Sequence, residues 1–257
     1  MRTLASVILL FTLLLGCATR AAEVGTVSAT EASPRLAVTM LVWLEPDGRA
    51  KLKHFAERGA PLFERYDLRV ERVLEPSGKG ALVGENPHEV PDLIQVFSMP
   101  SLEAFRAYTA DSEYVRLAAE RDQGIARMVA VIGKPLDVSP LNPTSASEPT
   151  ARRYGVAFAR FLAGGAEGMD EFNRRAIPLY VRHGMHVEAM LQVVTTVTPV
   201  GQALEDFAPE RVVVFFLDDE AALKAYVSDA EYKTLAPIRD VGLRSYEFFL
   251  GKTPPAP

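Results

Sequence analysis

The chain contains one stretch twice, and this duplication restricts its fold more than any other feature. Pairing each residue from Leu93 to Lys134 with the residue 118 positions later, Arg211 to Lys252, gives fifteen identities in forty-two positions without a gap. The sharpest part reads AYTADSEYVRLAAERDQG from Ala107 and AYVSDAEYKTLAPIRDVG from Ala225. The preceding halves pair at a spacing of 117: Phe55 with Phe172, Pro61 with Pro178, Arg65 with Arg182, Glu71 with Glu188. The one-residue change falls in a glycine- and proline-rich segment, where insertions are tolerated.

Each copy spells the same series of elements. Leu36 to Leu44 (LAVTMLVWL) suits a buried strand. Leu52, Phe55, Gly59, Leu62 and Tyr66 then form one helical stripe, with Pro61 predicting a kink or restart near Ala60. Leu68 to Leu74 alternates as a strand. Glu75 to Pro91, with three glycines and three prolines, reads as a long hairpin connection. A strand over Leu93 to Met99 leads to a helix capped by Ser101. A second helical piece starts at Asp111 and stops at Gly124, and a closing strand runs from Ile125. The second copy repeats the series from Tyr154 to Leu250, with strands over Met185 to Val197 and Arg211 to Leu217 and a broken helix over Glu220 to Asp240.

The predicted organisation is a signal over 1–17, a tether over 18–35, one βαββαβ repeat over 36–136, a Pro/Ser/Thr-rich linker over 137–151, a second repeat over 152–253 and a tail over 254–257. One βαββαβ unit leaves a sheet face open, and an apolar open face in water must be covered. Two units in one chain cover each other, sheet to sheet, with the helices outside. The fold class expected is α+β.

The strand, the two-part helix with S/D-x-EY and the RD near its end resemble the dimeric α/β-barrel (ferredoxin-like) superfamily, and within it short domains of unknown function. The resemblance covers Leu36 to about Thr253 and is best over Arg211 to Lys252. It implies an intrachain version of a barrel that family members usually close by dimerising, hence a monomeric pseudo-dimer. The superfamily includes cofactor-free monooxygenases, haem-handling enzymes and members without known activity, so the resemblance implies a fold and not a reaction.

The polar positions shared by the copies are the candidate site. Tyr114 and Arg121 share one helix face, as do Tyr232 and Arg239, so each arginine can reach inward beside a tyrosine. Such an arginine is either an anchor for a carboxylate or other anion, or a helix-end cation answering the dipole. Glu71 and Glu188, on equivalent strands, read either as acid–base groups or as carboxylates paired with Arg65, Arg182 or the helix-end arginines. His183, His186 and Glu188 occur in HGMHVE in one copy only, and strand alternation puts His183 off the face of the other two, so no metal is expected. His54 and His88 read as solvated. Trp43 and Phe161 are read as equivalent positions of core or barrel lining. No phosphate loop and no nucleophile elbow is visible, and no cofactor is expected.

The amino terminus gives an address. Met1-Arg2 is followed by an apolar run from Leu4 to Leu15 and by Leu14-Leu15-Gly16-Cys17, which resembles the lipobox of bacterial lipoproteins with Cys17 as the lipidated residue. A plain secretory signal cut near Ala22 competes, but places Arg20 where a small residue is needed. The lipid on Cys17 implies attachment to a membrane of the cell envelope, at the outer membrane or periplasmic face. Net charge is -5 without a basic patch, which argues against nucleic acid. Two functions fit: a lipoprotein binding a small molecule or envelope protein through its duplicated barrel, or a cofactor-free enzyme, monooxygenase- or isomerase-like, using the cavity between the sheets.

Overall fold

A computed structural model describes residues 35–141, 152–219 and 221–253. The signal, Cys17 and most of the tether lie outside the described residues. In chain order the elements are β1 (Leu36–Leu44), α1 (Gly48–Arg65), β2 (Arg69–Val83), β3 (Leu93–Met99), α2 (Leu102–Ala110), α3 (Ser112–Asp122) and β4 (Ile125–Leu136). The second repeat gives β5 (Arg153–Phe161), α4 (Gly165–Arg182), β6 (Met185–Val200), β7 (Arg211–Leu217), α5 (Ala222–Ser228), α6 (Ala230–Asp240) and β8 (Leu243–Lys252). Neither α1 nor α4 restarts at its proline; each is one helix through Pro61 or Pro178.

The caps form as their chemistry dictates. Ser101 Oγ accepts from the Ala104 N–H at 3.1 Å, and Asp111 and Asp229 each accept from the N–H two residues on at 2.8 Å. At its start each long helix backs onto the loop before the closing strand. A Cβ on Gly48 would fall 1.9 Å from the Gly124 carbonyl oxygen, and one on Gly165 would fall 1.8 Å from that of Gly242. Only glycine fits there.

The eight strands form one closed antiparallel barrel in the order β1-β3-β2-β8-β5-β7-β6-β4. The fold is therefore the α+β dimeric α/β-barrel within one chain, its two sheets joined at both edges. One join comes from strand where a loop is predicted. Beyond Glu75, β2 leaves β3 and pairs with β8, from Glu75 opposite Lys252 to Val83 opposite Tyr246. Its glycine and bulges serve the seam, since a Cβ on Gly80 would meet the Phe248 ring at 2.6 Å. On the other side β6 runs on to Val200 and pairs with β4.

Strands β1, β3, β5 and β7 are buried on both faces, whereas β2 and β6 are partly exposed. Leu41, Trp43, Ile94, Phe158 and Phe249 fill the barrel interior together with Phe207 from the loop between β6 and β7. Helices cover the outside in two layers, around Phe55, Leu62 and Leu117 in the first repeat and Phe172, Leu179 and Leu235 in the second. Trp43 lies inside the barrel while Phe161 packs on the helix side, so these two are not equivalent. The bulges after Trp43 and Arg160 match those two residues instead. After β4, Leu141 is buried against the second repeat's helix layer.

Candidate functional site

The two tyrosine–arginine pairs form as spaced, but apart. Arg121 is 5% exposed and Arg239 1%. Arg239 donates to Tyr232 at 3.1 Å and to Asp240 at 2.8 Å, and its guanidinium lies over the Phe172 ring at 4.8 Å. Arg121 repeats this with Tyr114 at 3.5 Å, Asp122 at 2.8 Å and the Phe55 ring at 4.7 Å. Burial opposes the charge of each arginine, yet the tyrosine and aspartate outweigh it and hold both guanidinium pKa values above their ordinary range. Each pair sits under its own helices on the outside of the barrel wall, so the repeats do not bring them around one shared interface.

Beside Arg239 a cavity of about 40 Å³ is lined by Asn173, Tyr180, Tyr226 and Tyr246 among others. It is far below the few hundred Å³ of an organic ligand site. Burial pushes the phenols of Tyr180 and Tyr226 up, and that of Tyr246 up to about 12, so they stay protonated and supply no base near neutral pH.

Glu71 and Glu188 are the residues at which the registers of β2 with β3 and of β6 with β7 shift. Both are exposed. Glu71 accepts from Ser98 Oγ at 2.6 Å, and Glu188 pairs with Arg72. Their expected partners go elsewhere: Arg65 pairs with Asp111 and Glu113, Arg182 with Asp229 and Glu231. His183 bonds Asp229 at 2.8 Å, while His186 bonds Asp218 at 3.2 Å and stacks on Phe216. Among the described residues no three His, Cys, Asp or Glu side chains group as metal ligands.

The sequence reading missed a buried pair, Glu247 and His88. Glu247, on β8 between Ala81 of β2 and Phe158 of β5, is 4% exposed, and its Oε2 has no hydrogen-bond partner. His88 is not solvated but 8% exposed, its Nε2 3.6 Å from that oxygen, too long for a hydrogen bond. The loop holding His88 is tied down by Lys79, whose Nζ donates to the His88 carbonyl, and by Asn86, which donates to the Phe248 carbonyl. Burial pushes the Glu247 carboxyl up to about 7 against the pull of Arg160 and Lys79. Burial and the charges of Lys79, Arg127 and Arg160 push the His88 imidazole down. Each group is thus biased toward its neutral form. The available signal was an acid in Tyr246-Glu247-Phe248-Phe249, where both strand faces are apolar.

On the other side of Phe207 lies a cleft of about 420 Å³, lined by apolar residues, Val129, Ala203, Leu204 and Phe207 among them, and by Thr195, Thr196, Thr198 and Glu210. Phe207 touches both places: it lines the cleft, and its ring packs edge-on against His88 at 5.3 Å and against Phe158 at 5.1 Å. Glu210, also at the cleft, accepts from the Phe161 N–H at 2.6 Å.

No protein-family model and no curated protein matches the chain. Solved structures do. It is similar to an anthrone oxidase-like protein at 13% identity, over 87% of this chain and 94% of that one, with a TM-score of 0.53. It is also similar to a mutant chlorite dismutase of Candidatus Nitrospira defluvii at 10% identity, over 87% and 92%, with a TM-score of 0.53. At these identities the likeness is one of fold, and it spans both repeats.

Proposed function

We propose that this chain is a lipid-anchored protein of the bacterial cell envelope that binds a small molecule at the mouth of its barrel. The observation that carries the binding is the cleft of about 420 Å³ between β4, β6 and the loop that follows β6. Its volume falls in the range of small-ligand sites, and its walls combine apolar side chains with the hydroxyls of Thr195, Thr196 and Thr198. The barrel interior between the sheets is filled by side chains, and the cavity beside Arg239 is too small, so the mouth is the better place. The candidates Tyr114, Arg121, Tyr232 and Arg239 then serve as packing and hydrogen-bonding groups of the helix layers, and Glu71 and Glu188 as bulge residues.

Anchoring rests on the lipobox-like Leu14 to Cys17; among the described residues no helix is long and apolar enough to cross a membrane. Radiolabelled palmitate should enter the wild type and be absent from Cys17→Ser; equal labelling refutes the anchor. For the cleft, native mass spectrometry of purified protein should show a small molecule that is lost in Ala203→Trp, an exposed position where the indole fills the cleft. Retention of the same adduct in that variant refutes the site.

A second reading, a cofactor-free enzyme, is favoured by Glu247 and His88 together, since a carboxyl near 7 beside an imidazole biased toward its neutral form suits proton transfer. Solvent deuterium appearing at the α-carbon of added phenylacetone, and not with Glu247→Gln, is its test.

A further inference from the structure

The loops that lead into β3 and β7 end on equivalent acids with one shared task. Asp92 accepts from the Leu44 N–H at 2.8 Å and Glu210 from the Phe161 N–H at 2.6 Å, each at the bulge that ends the first strand of its repeat. An aspartate is long enough for that bond, so the extra methylene of Glu210 serves something else. Glu210 lines the cleft: its Oε2 takes the Phe161 N–H, and its Oε1 makes no hydrogen bond among the described residues. Among the described residues that line the cleft, Glu210 alone carries a charge. The loop from Gly201 to Glu210 adds Glu205 and Asp206 and holds no lysine or arginine. Cations of the neighbouring strands are turned elsewhere: Arg160 donates to the Asp206 carbonyl, Arg127 lies over the Trp43 ring at 5.5 Å, and Arg211 pairs with Asp170.

Resting on the reading of the cleft as the ligand site, we infer that it takes an apolar primary amine, held as its ammonium ion by the Glu210 carboxylate. An ammonium brings three N–H donors and no acceptor. Glu210 Oε1 accepts one, and the hydroxyl oxygens of Thr195, Thr196 and Thr198 supply acceptors on the same lining. The Glu210 carbonyl accepts from the Val193 N–H at 2.9 Å, which sets the acid at the start of the β6 segment that carries these threonines. The apolar body lies against Val129, Leu204 and Phe207. A carboxylate or phosphate in the same place meets Glu210 as a like charge, with no lining cation to offset it. An uncharged alcohol reaches the threonines and gains no ion pair. Glu210 is exposed, so the ion pair stays hydrated and its contribution is modest.

The probes are three molecules with one body, 4-phenylbutylamine, 4-phenylbutanol and 4-phenylbutyrate, titrated into the full purified protein by calorimetry. At neutral pH the first is a cation and the last an anion. The amine should bind about fivefold tighter than the alcohol, the size of an exposed ion pair, and the alcohol tighter than the acid. Added salt should narrow the gap between amine and alcohol. Glu210→Gln keeps a carbonyl oxygen for the Phe161 N–H and removes the charge, so amine and alcohol should bind it equally. The ratio of two probes within one variant does not depend on any general loss of stability. An amine that binds no tighter than the alcohol in the wild type, or a preference that survives in Glu210→Gln, overturns the inference. Ala203→Trp separates the two failures. Probes that bind the wild type equally and are all lost in that variant leave the cleft and refute the amine. Amine binding undiminished in Ala203→Trp, or no binding of any probe to the wild type, refutes the cleft and the amine with it.

Discussion

Strands β4 and β8 occupy the same place in the two repeats, and they differ most at one inward position. Val129 of β4 faces the barrel interior as an apolar residue and borders the cleft. Its counterpart 118 residues on is Glu247, a buried acid. The positions that agree between the copies, by contrast, are those that any copy needs: the cap aspartates, the inward arginines, the bulge glutamates and the glycine contacts. Identity between the repeats marks the requirements of folding, and the difference marks where one half has a property of its own.

The largest effect should come from the glycine contacts, where the repeats should behave alike. Gly165→Ala puts a Cβ 1.8 Å from the Gly242 carbonyl oxygen and Gly48→Ala puts one 1.9 Å from that of Gly124. Backbone must move in either case, at a cost of about 3 kcal/mol or more. Urea denaturation should show both variants far less stable than the wild type. A near-neutral result for one and not the other would mean that the helix starts are not built equivalently.

The arginines should separate the repeats modestly. Arg239 lies within 5.6 Å of the Tyr232 and Tyr246 ring centroids as well as over Phe172, whereas Arg121 has Phe55 and Tyr114, and Met128 stands where Tyr246 would be. Arg239→Ala should cost about 3 kcal/mol and Arg121→Ala about 2, from lost ring packing and an orphaned tyrosine hydroxyl. The reverse order in urea would contradict the burial argument.

Glu247→Val makes β8 resemble β4 and should stabilise the protein. The folded carboxyl is raised from 4.5 to about 7, so the folded state binds more protons than the unfolded state between those values. Wild-type stability from this group is therefore undiminished below about 4.5 and falls as pH rises through 7. Relative to the wild type, Glu247→Val should gain on the order of 2 kcal/mol on going from pH 5 to pH 8. A difference that does not change with pH would place the titration of Glu247 outside that range.

The order of elements, the caps and the inward arginines were legible because they depend on local chemistry: an aspartate two residues before an N–H, a tyrosine and an arginine seven apart on one helix face. The seams were not. Pro76, Gly78 and Gly80 read as a connection because their strand partner, β8, lies in the other repeat, and a bulged strand of small residues has the composition of a loop. Glu71 and Glu188 were legible as positions but not as bulges, since register depends on the neighbouring strand. His88 and Glu247 meet through two separate segments. No spacing rule joins them, and only the apolar neighbours of Glu247 gave warning.

The smallest effect should distinguish two otherwise identical caps. Asp111 and Asp229 each open the second helical piece and each bonds an equivalent arginine, Arg65 or Arg182, but the remaining partners differ in chemistry, Tyr66 at 2.9 Å and His183 at 2.8 Å. The hydrogen bond from His183, followed by the Glu231 N–H, holds the Asp229 carboxyl down at about 2. Asp111 is held below its ordinary value by Tyr66 and the Glu113 N–H. Replacement by asparagine keeps an acceptor for the helix N–H and removes the charge, so Asp229→Asn should lower Tm more than Asp111→Asn. A depressed carboxyl contributes stability that is present above its unfolded pKa and lost as pH falls through the folded one. The Asp229→Asn deficit should accordingly be constant from about pH 5 upward and shrink toward pH 2. Thermal unfolding monitored by circular dichroism at pH 7 and pH 3 reads it, and a deficit that grows with acid would show that the second repeat's cap is stabilised by something other than the ionised aspartate.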